Sequence, residues 1–240
     1  MVQRDSPRHL RALLLGPGLV IFLWALWAFI AFVLFDRDAH GLVIVGVTLV
    51  LFFIVVLLLR RRGWADWRTG LYAGLFIGLL VLMYMIPIRG ALPPDAHALN
   101  QRANAAHADR YDYAASIFDE VVARYVAPTR EYILQPHRIF LVKDTAYFWN
   151  AQGGYVPSHI QAQLYRKLLL ASGRFAEQEV ELRTGGCVNS PHGYVVIHHP
   201  EREIFADLWA ADQFEEYRFG QRVQMPGCDG VVAEPEGEPA

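Results

Sequence analysis

The stretch GLVIVGVTLVLFFIVVLLL, Gly41 to Leu59, decides how this chain folds. It holds no charged residue, and Thr48 is its one polar side chain. A helix of ~20 apolar residues crosses the roughly 30 Å hydrocarbon core of a bilayer. Working outward, Ala12 to Phe35 and Gly70 to Ile88 are equally free of charge and of similar length. The pattern predicts a three-pass α-helical membrane anchor over residues 1–90, followed by a C-terminal soluble domain of about 150 residues, within the usual domain range.

Arginine placement sets the expected orientation, because short cytoplasmic loops carry an excess of Lys and Arg. Arg4, Arg8 and Arg11 precede the first run. The first loop has Arg37 between Asp36 and Asp38, and the second loop carries Arg60, Arg61, Arg62 and Arg68 on either side of Trp64 and Trp67. These flanks predict a cytoplasmic N-terminus, an outer first loop, an inner second loop and a domain on the outer face. The Ala- and Arg-rich composition suggests a bacterium, which makes that face the periplasm and the membrane the inner one. The first run is longer than a signal-peptide core and lacks a small-residue cleavage site before Asp36, so it is expected to remain as an anchor.

Both cysteines, Cys187 and Cys228, fall in the exported part. In an oxidising compartment an even count reads as one disulfide. It would close a loop of ~40 residues and stabilise the fold by about 4 kcal/mol in the chain-entropy model.

Intramembrane ionisable groups mark transport and proton pathways, and the three runs contain none. Gly70, Gly74 and Gly78 lie on one face of the third run, a spacing that favours close helix packing. That face is expected to meet another span of the same chain or, alternatively, a second copy in a homodimer.

Beyond Pro93-Pro94, residues 91–108 read as a tether, extended or helical. Residues 109–228 read as an extracytoplasmic α+β domain with a small antiparallel sheet. An amphipathic helix is expected from Asp109 to Val126, with Tyr111, Ala114, Ala115, Phe118, Val121, Val122 and Tyr125 on its apolar face and Pro128 as its stop. Ile139–Val142 and Ala146–Trp149, around Lys143-Asp144-Thr145, suggest a β-hairpin. Ser158 would cap a helix with an Ile160, Leu164, Leu168 stripe that ends at Gly173. Phe175 to Thr184 alternates charged and apolar residues as a half-buried strand does, and Gly193 to His199 is a second strand. Glu203 to Tyr217 reads as a helix in preference to a strand followed by a short helix. The Glu-, Pro- and Gly-rich stretch 229–240 is expected to be disordered.

Among candidate sites, His192, His198 and His199 are weak metal ligands. Adjacent strand residues point to opposite faces, and no zinc-binding spacing such as HExxH is present, so no metal or other cofactor is expected. Glu203 with Asp207, and Asp212 with Glu216, would each share a helix face and form carboxylate pairs. Ser158-His159 belongs to no recognisable nucleophile motif. A net charge of −2 with much of the arginine beside the membrane argues against nucleic acid as a partner. Acidic and aromatic residues mix from Glu203 to Phe219, and Trp209, Phe214 and Tyr217 are the candidates for a partner-binding surface.

These features predict a non-enzymatic inner-membrane protein that contacts membrane lipid and binds a protein in the periplasm. Its layout is similar to that of immunity proteins against envelope-targeting toxins, and to accessory proteins of pilus or secretion assembly. An envelope enzyme with its site around His192–Asp207 is the alternative of a different class.

Overall fold

The computed structural model describes residues 6–29, 41–125, 135–154, 156–187, 190–213 and 217–221. It is mostly helical with one small sheet, and it divides into two compact units, Met1–Ile86 and Pro87–Ala240.

The first unit contains α1 (Ser6–Phe29), α2 (Gly41–Arg61) and α3 (Trp67–Met85). The segments His9–Leu26 of α1 and Trp67–Tyr84 of α3 are each long and apolar enough to cross a membrane. Leu14, Ile21, Val50, Phe53, Leu75 and Leu82 are among many large apolar side chains exposed on these helices. Lipid, unlike water, leaves such a surface at no hydrophobic cost. Arg60 and Arg61 sit in the last turn of α2, where they complement the negative end of its dipole. Gly63, at φ +67°, then ends that helix in the left-handed conformation. Asp66 opens α3 through a reciprocal cap: its carboxylate accepts from Thr69 N–H at 3.1 Å, while Thr69 Oγ1 accepts from Asp66 N–H at 3.3 Å.

Two expectations for this unit change. The third helix stops at Met85 and not at Ile88, because Pro87 has no N–H and forces Ile86 into extended backbone (φ −67°, ψ 121°). Residues 30–35 of the first run lie outside the described residues. The glycine that brings helices together is Gly16 of α1. A Cβ there would meet Ala73 N at 2.8 Å, Thr69 O at 2.9 Å and Tyr72 Cβ at 2.9 Å. By contrast, Gly70, Gly74 and Gly78 have nothing within 4 Å of an added Cβ. Among the described residues, the glycine face of α3 therefore does not close on α1 or α2.

The second unit begins at Pro87. The stretch read as a tether takes the helical form, α4 (Pro94–Ala106), with Ala96, Leu99, Asn100 and Ala103 buried at helical spacing. Pro94 suits its first turn because the missing N–H would have no helical partner there. Arg174 satisfies carbonyls at the other end, donating to Asn104 O at 2.7 Å and His107 O at 2.6 Å.

Helix α5 (Arg110–Arg124) follows, capped by Asp109, which accepts from Tyr111 N–H at 2.7 Å and Asp112 N–H at 3.0 Å. Its buried stripe is Tyr113, Ala114, Ile117, Phe118 and Val121. Tyr111, Ala115 and Val122 lie at the half-buried margin, so the apolar face is rotated from the expected one. The helix ends at Arg124, and Pro128 lies outside the described residues.

The hairpin expected around Lys143–Thr145 is two short helices, α6 (Pro136–Phe140) and α7 (Thr145–Trp149). Pro136 starts the first. Asp144 starts the second by accepting from Tyr147 N–H at 2.6 Å. The polar triplet does not turn between strands because it bonds elsewhere. Arg89 N–H donates to Lys143 O at 2.7 Å, Thr145 N–H donates to Arg89 O at 2.8 Å, and Thr145 Oγ1 donates to the same carbonyl at 2.6 Å.

Helix α8 (Ser158–Ala171) is central to the unit. Ile160, Leu164 and Leu168 are buried as their spacing predicts, and Gly173 (φ +72°) follows its end. Ser158 does not cap it: Pro157 precedes the helix and makes no side-chain cap bond. After a 3-10 turn at Glu177–Glu179, where a strand was expected, come β1 (Val180–Cys187), β2 (Ser190–His198) and β3 (Glu203–Ala206). They form an antiparallel sheet in that order. Val180 pairs with Ile197, Thr184 with Gly193, and Ile197 with Ile204. Glu203–Tyr217 is thus a strand followed by a short helix, α9 (Leu208–Gln213), rather than one helix. Ile204 and Ala206 alternate with Glu203 and Phe205, the period of a sheet with one buried face. Residues 222–240 and Cys228 lie outside the described residues.

Packing follows from this register. Val180, Val195, Ile197, Ile204 and Ala206 form the inner face, buried against α8 together with Ile160, Tyr165 and Leu169. Polar groups inside this core are tied down. Tyr113 OH donates to Asn100 Oδ1, Asn100 Nδ2 donates to Leu168 O at 2.9 Å, and Tyr165 OH donates to Ala114 O at 3.0 Å.

Candidate functional site on the outer face of the sheet

Paired residues of an antiparallel ladder point to the same side. The pairs Glu181–Val196, Arg183–Tyr194, Val196–Phe205 and His198–Glu203 therefore define one outer face, opposite the core. Arg183, on the edge strand β1, reaches across it. Its Nη2 donates to Glu181 Oε2 at 2.9 Å and to Glu203 Oε1 at 2.8 Å. His198 completes the group, with Nε2 3.2 Å from Glu181 Oε2 and Nδ1 3.8 Å from Glu203 Oε1. Beside it, the rings of Tyr194 and Phe205 lie 6.3 Å apart, both half-buried.

The electrostatics have one dominant cause. Hydrogen bonds from the Arg183 guanidinium hold both Glu181 and Glu203 below the ordinary carboxylate range. The same bonds, those to Glu203 first, push Arg183 further up. Two carboxylates and one guanidinium thus stay charged through neutral pH. A general acid needs a carboxyl whose pKa is raised towards neutrality, which is the opposite shift. The arrangement suits recognition of a complementary surface better than proton transfer. Exposed pairs of this kind add little stability, ~0–1 kcal/mol each.

The residues expected from the sequence distribute as follows. His198 joins the outer ion cluster. His199 turns away, its ring 4.8 Å from that of Tyr111, and its Nδ1 accepts from Glu201 N–H at 3.1 Å. The two adjacent histidines diverge. His192, on β2, pairs through its backbone with Gly185 of β1. Among the described residues no three His, Cys, Asp or Glu side chains converge as a metal site would require.

Glu203 and Asp207 do not share a helix face, because β3 and α9 replace the expected helix. Glu203 is on the outer face, while buried Asp207 accepts from Ala210 N–H at 3.0 Å in the first turn of α9. The Asp212–Glu216 pair falls on residues whose side chains lie outside the described ones. His159, next to Ser158, is buried, and its pKa is pushed down to about 3 by burial and the Lys143 charge.

The three aromatics expected to bind a partner also part company. Tyr217 is only 6 % exposed, and its hydroxyl accepts from Asp207 N–H at 3.0 Å, so it is a core residue. Trp209 is half-buried against the core, and Phe214 lies outside the described residues. Because Glu203–Ala206 is a strand, the acidic and aromatic residues that meet on one face are Glu181, Glu203, Tyr194 and Phe205. The proximity of Tyr194 to Arg183 depends on strand register, which no single segment contains. Glu181 and Arg183 belong to the charged side of the Phe175–Thr184 alternation, which the sequence reads as one side of a half-buried strand.

Comparison with protein-family models, with curated proteins and with solved structures finds no match to this chain.

Proposed function

We propose that this chain is a three-pass bacterial inner-membrane protein whose periplasmic C-terminal domain works by binding a protein partner through the outer face of its sheet. The carrying observation is the Glu181–Arg183–Glu203 cluster beside Tyr194 and Phe205, fixed charge next to half-buried aromatic surface. Aromatic and Arg side chains concentrate binding energy at protein interfaces. Orientation rests on the arginines that flank the apolar runs, and on α2 as a third span of 21 residues with Arg60 and Arg61 at its inner end. The Cys187–Cys228 disulfide belongs to the same reading. In non-reduced protein both thiols would resist alkylation, and ready labelling of both would remove the bond from the proposal.

Topology is tested by alkaline phosphatase fusions, active after Asn100 and inactive after Arg62. The reverse pattern would overturn the orientation and, with it, the periplasmic partner. Binding is tested in intact cells by a photo-reactive residue at Tyr194. A discrete protein adduct that is lost in Arg183→Glu supports the surface; an adduct indifferent to Arg183→Glu, or none, counts against it. Immunity against an envelope-targeting toxin is the preferred form of this function, and it requires a toxin gene beside this one. A pilin or secretion gene in that place would favour the assembly accessory instead.

A further inference from the structure

Among the described residues of the second unit, Leu141 and Tyr147 are the large apolar side chains left exposed, at 63 % and 41 %. Both belong to the α6–α7 segment. Four cations surround the same segment. Lys143 lies between the two helices. Arg138 stands 5.7 Å over the Tyr147 ring. Arg89 pairs with the segment through its backbone. Lys167 Nζ donates to Thr145 Oγ1 and to Gly90 O, each at 2.9 Å. Asp144 is the carboxylate among them, and it is occupied in capping α7.

Chain connectivity places this segment. Arg89 comes four residues after Met85, the last residue of α3, and four extended residues reach at most about 14 Å. If α3 crosses the bilayer, as the functional reading above holds, Arg89 cannot leave the neighbourhood of the lipid headgroups. The bonds from Arg89 to Lys143 O and Thr145 N–H then keep α6–α7 there too. Interfacial protein segments combine an apolar side chain dipped just below the headgroups with Lys and Arg beside them. Anionic lipid attracts such juxtamembrane cations.

From this we infer that α6–α7 is a membrane-surface contact. Leu141 and Tyr147 enter the headgroup layer, and Arg89, Arg138, Lys143 and Lys167 engage the phosphates of anionic phospholipid.

The test uses the full chain in nanodiscs of phosphatidylcholine alone or of phosphatidylcholine mixed with phosphatidylglycerol. Benzoylphenylalanine replaces Leu141, Tyr147 or, as a reference, Asp119 on the exposed side of α5. Lipid adducts after illumination, read by mass spectrometry, are expected several-fold higher at 141 and 147 than at 119, and higher with phosphatidylglycerol. Yields at 141 and 147 no greater than at 119 would overturn the inference, and equal yields in the two lipids would overturn the anionic recognition. A protein adduct at 141 in native membranes, in place of lipid, would also overturn it. Resistance of the same protein to carbonate extraction separates the two readings: a chain retained in the membrane but without lipid adducts keeps its spans and loses this contact.

Discussion

Gly193→Ala probes the close approach of β2 to the start of α8. Gly193 lies on β2 with ordinary backbone geometry, so its need for glycine is one of space. A Cβ built there would stand 2.7 Å from His159 Cα and 2.9 Å from His159 Cβ. Carbon atoms rest at about 3.5–4.0 Å, so β2 and the start of α8 must part locally by roughly 1 Å. A gap of that size forfeits about a quarter to a half of each affected dispersion contact. Those contacts belong to Ile160, Leu164, Val195 and Ile197, all fully buried. Overpacking of this kind costs ~1–3 kcal/mol, and relief of the strand glycine's excess entropy offsets ~0.5–1 of it. The net expectation is a loss of about 1–2 kcal/mol. For a unit of ~150 residues this is a fall in melting temperature of about 3–6 °C. Near-UV circular dichroism of the full chain in detergent, followed through thermal unfolding, reads it. Because the nearest atom is the His159 Cα, adding His159→Ala should not restore stability. A Gly193→Ala protein as stable as the parent, or more so as strand propensity alone would have it, would refute the described packing of α8 on β2.

Four further outcomes follow from the packing described above. Tyr113→Phe removes the hydroxyl that donates to Asn100 Oδ1 and leaves that oxygen buried, at an expected cost of ~1–3 kcal/mol in the same melting assay. The Tyr113 hydroxyl, whose pKa burial pushes up to about 12, should stay un-ionised in a spectroscopic titration well past the ordinary tyrosine range. His159, at about 3 when folded against about 6.5 when unfolded, takes up its proton first in the unfolded chain. Its contribution is therefore full above pH ~6.5 and is lost as pH falls towards 3, a decline of ~1–2 kcal/mol by pH 5 that His159→Phe should flatten. In the first unit, Gly16→Val should lower thermal stability in detergent by forcing α1 off α3, whereas Gly74→Val should leave it unchanged. Equal losses would mean that both glycines face a neighbour within the chain.

Much of the architecture could be read along the chain because its causes are local. Apolar run length, the arginines at Arg60–Arg62, the Asp109 and Gly173 helix signals and the Ile160, Leu164, Leu168 stripe each act within a few residues. Errors came where a segment's partner lies far away in sequence. Ile139–Trp149 has the aromatic and β-branched composition of strands, but Lys143–Thr145 finds its hydrogen bonds at Arg89 and Gly90, so two capped helical turns replace the hairpin. Residues 94–106 look too polar for a core helix, but Ala96, Leu99 and Ala103 form a stripe just wide enough to meet α5 and α8. Glu203–Tyr217 had two readings. The pairing of Ile204 with Ile197 chose the strand, and that choice carried Glu203 to the outer face and separated it from Asp207. Sequence alone thus determined that the chain has long apolar helices and an α+β domain, since burial period and turn chemistry are written residue by residue. The tertiary structure alone decided which charges meet. Glu181, Arg183, His198 and Glu203 are brought together by the register of three strands, and register is a property of pairing between segments that no single segment contains.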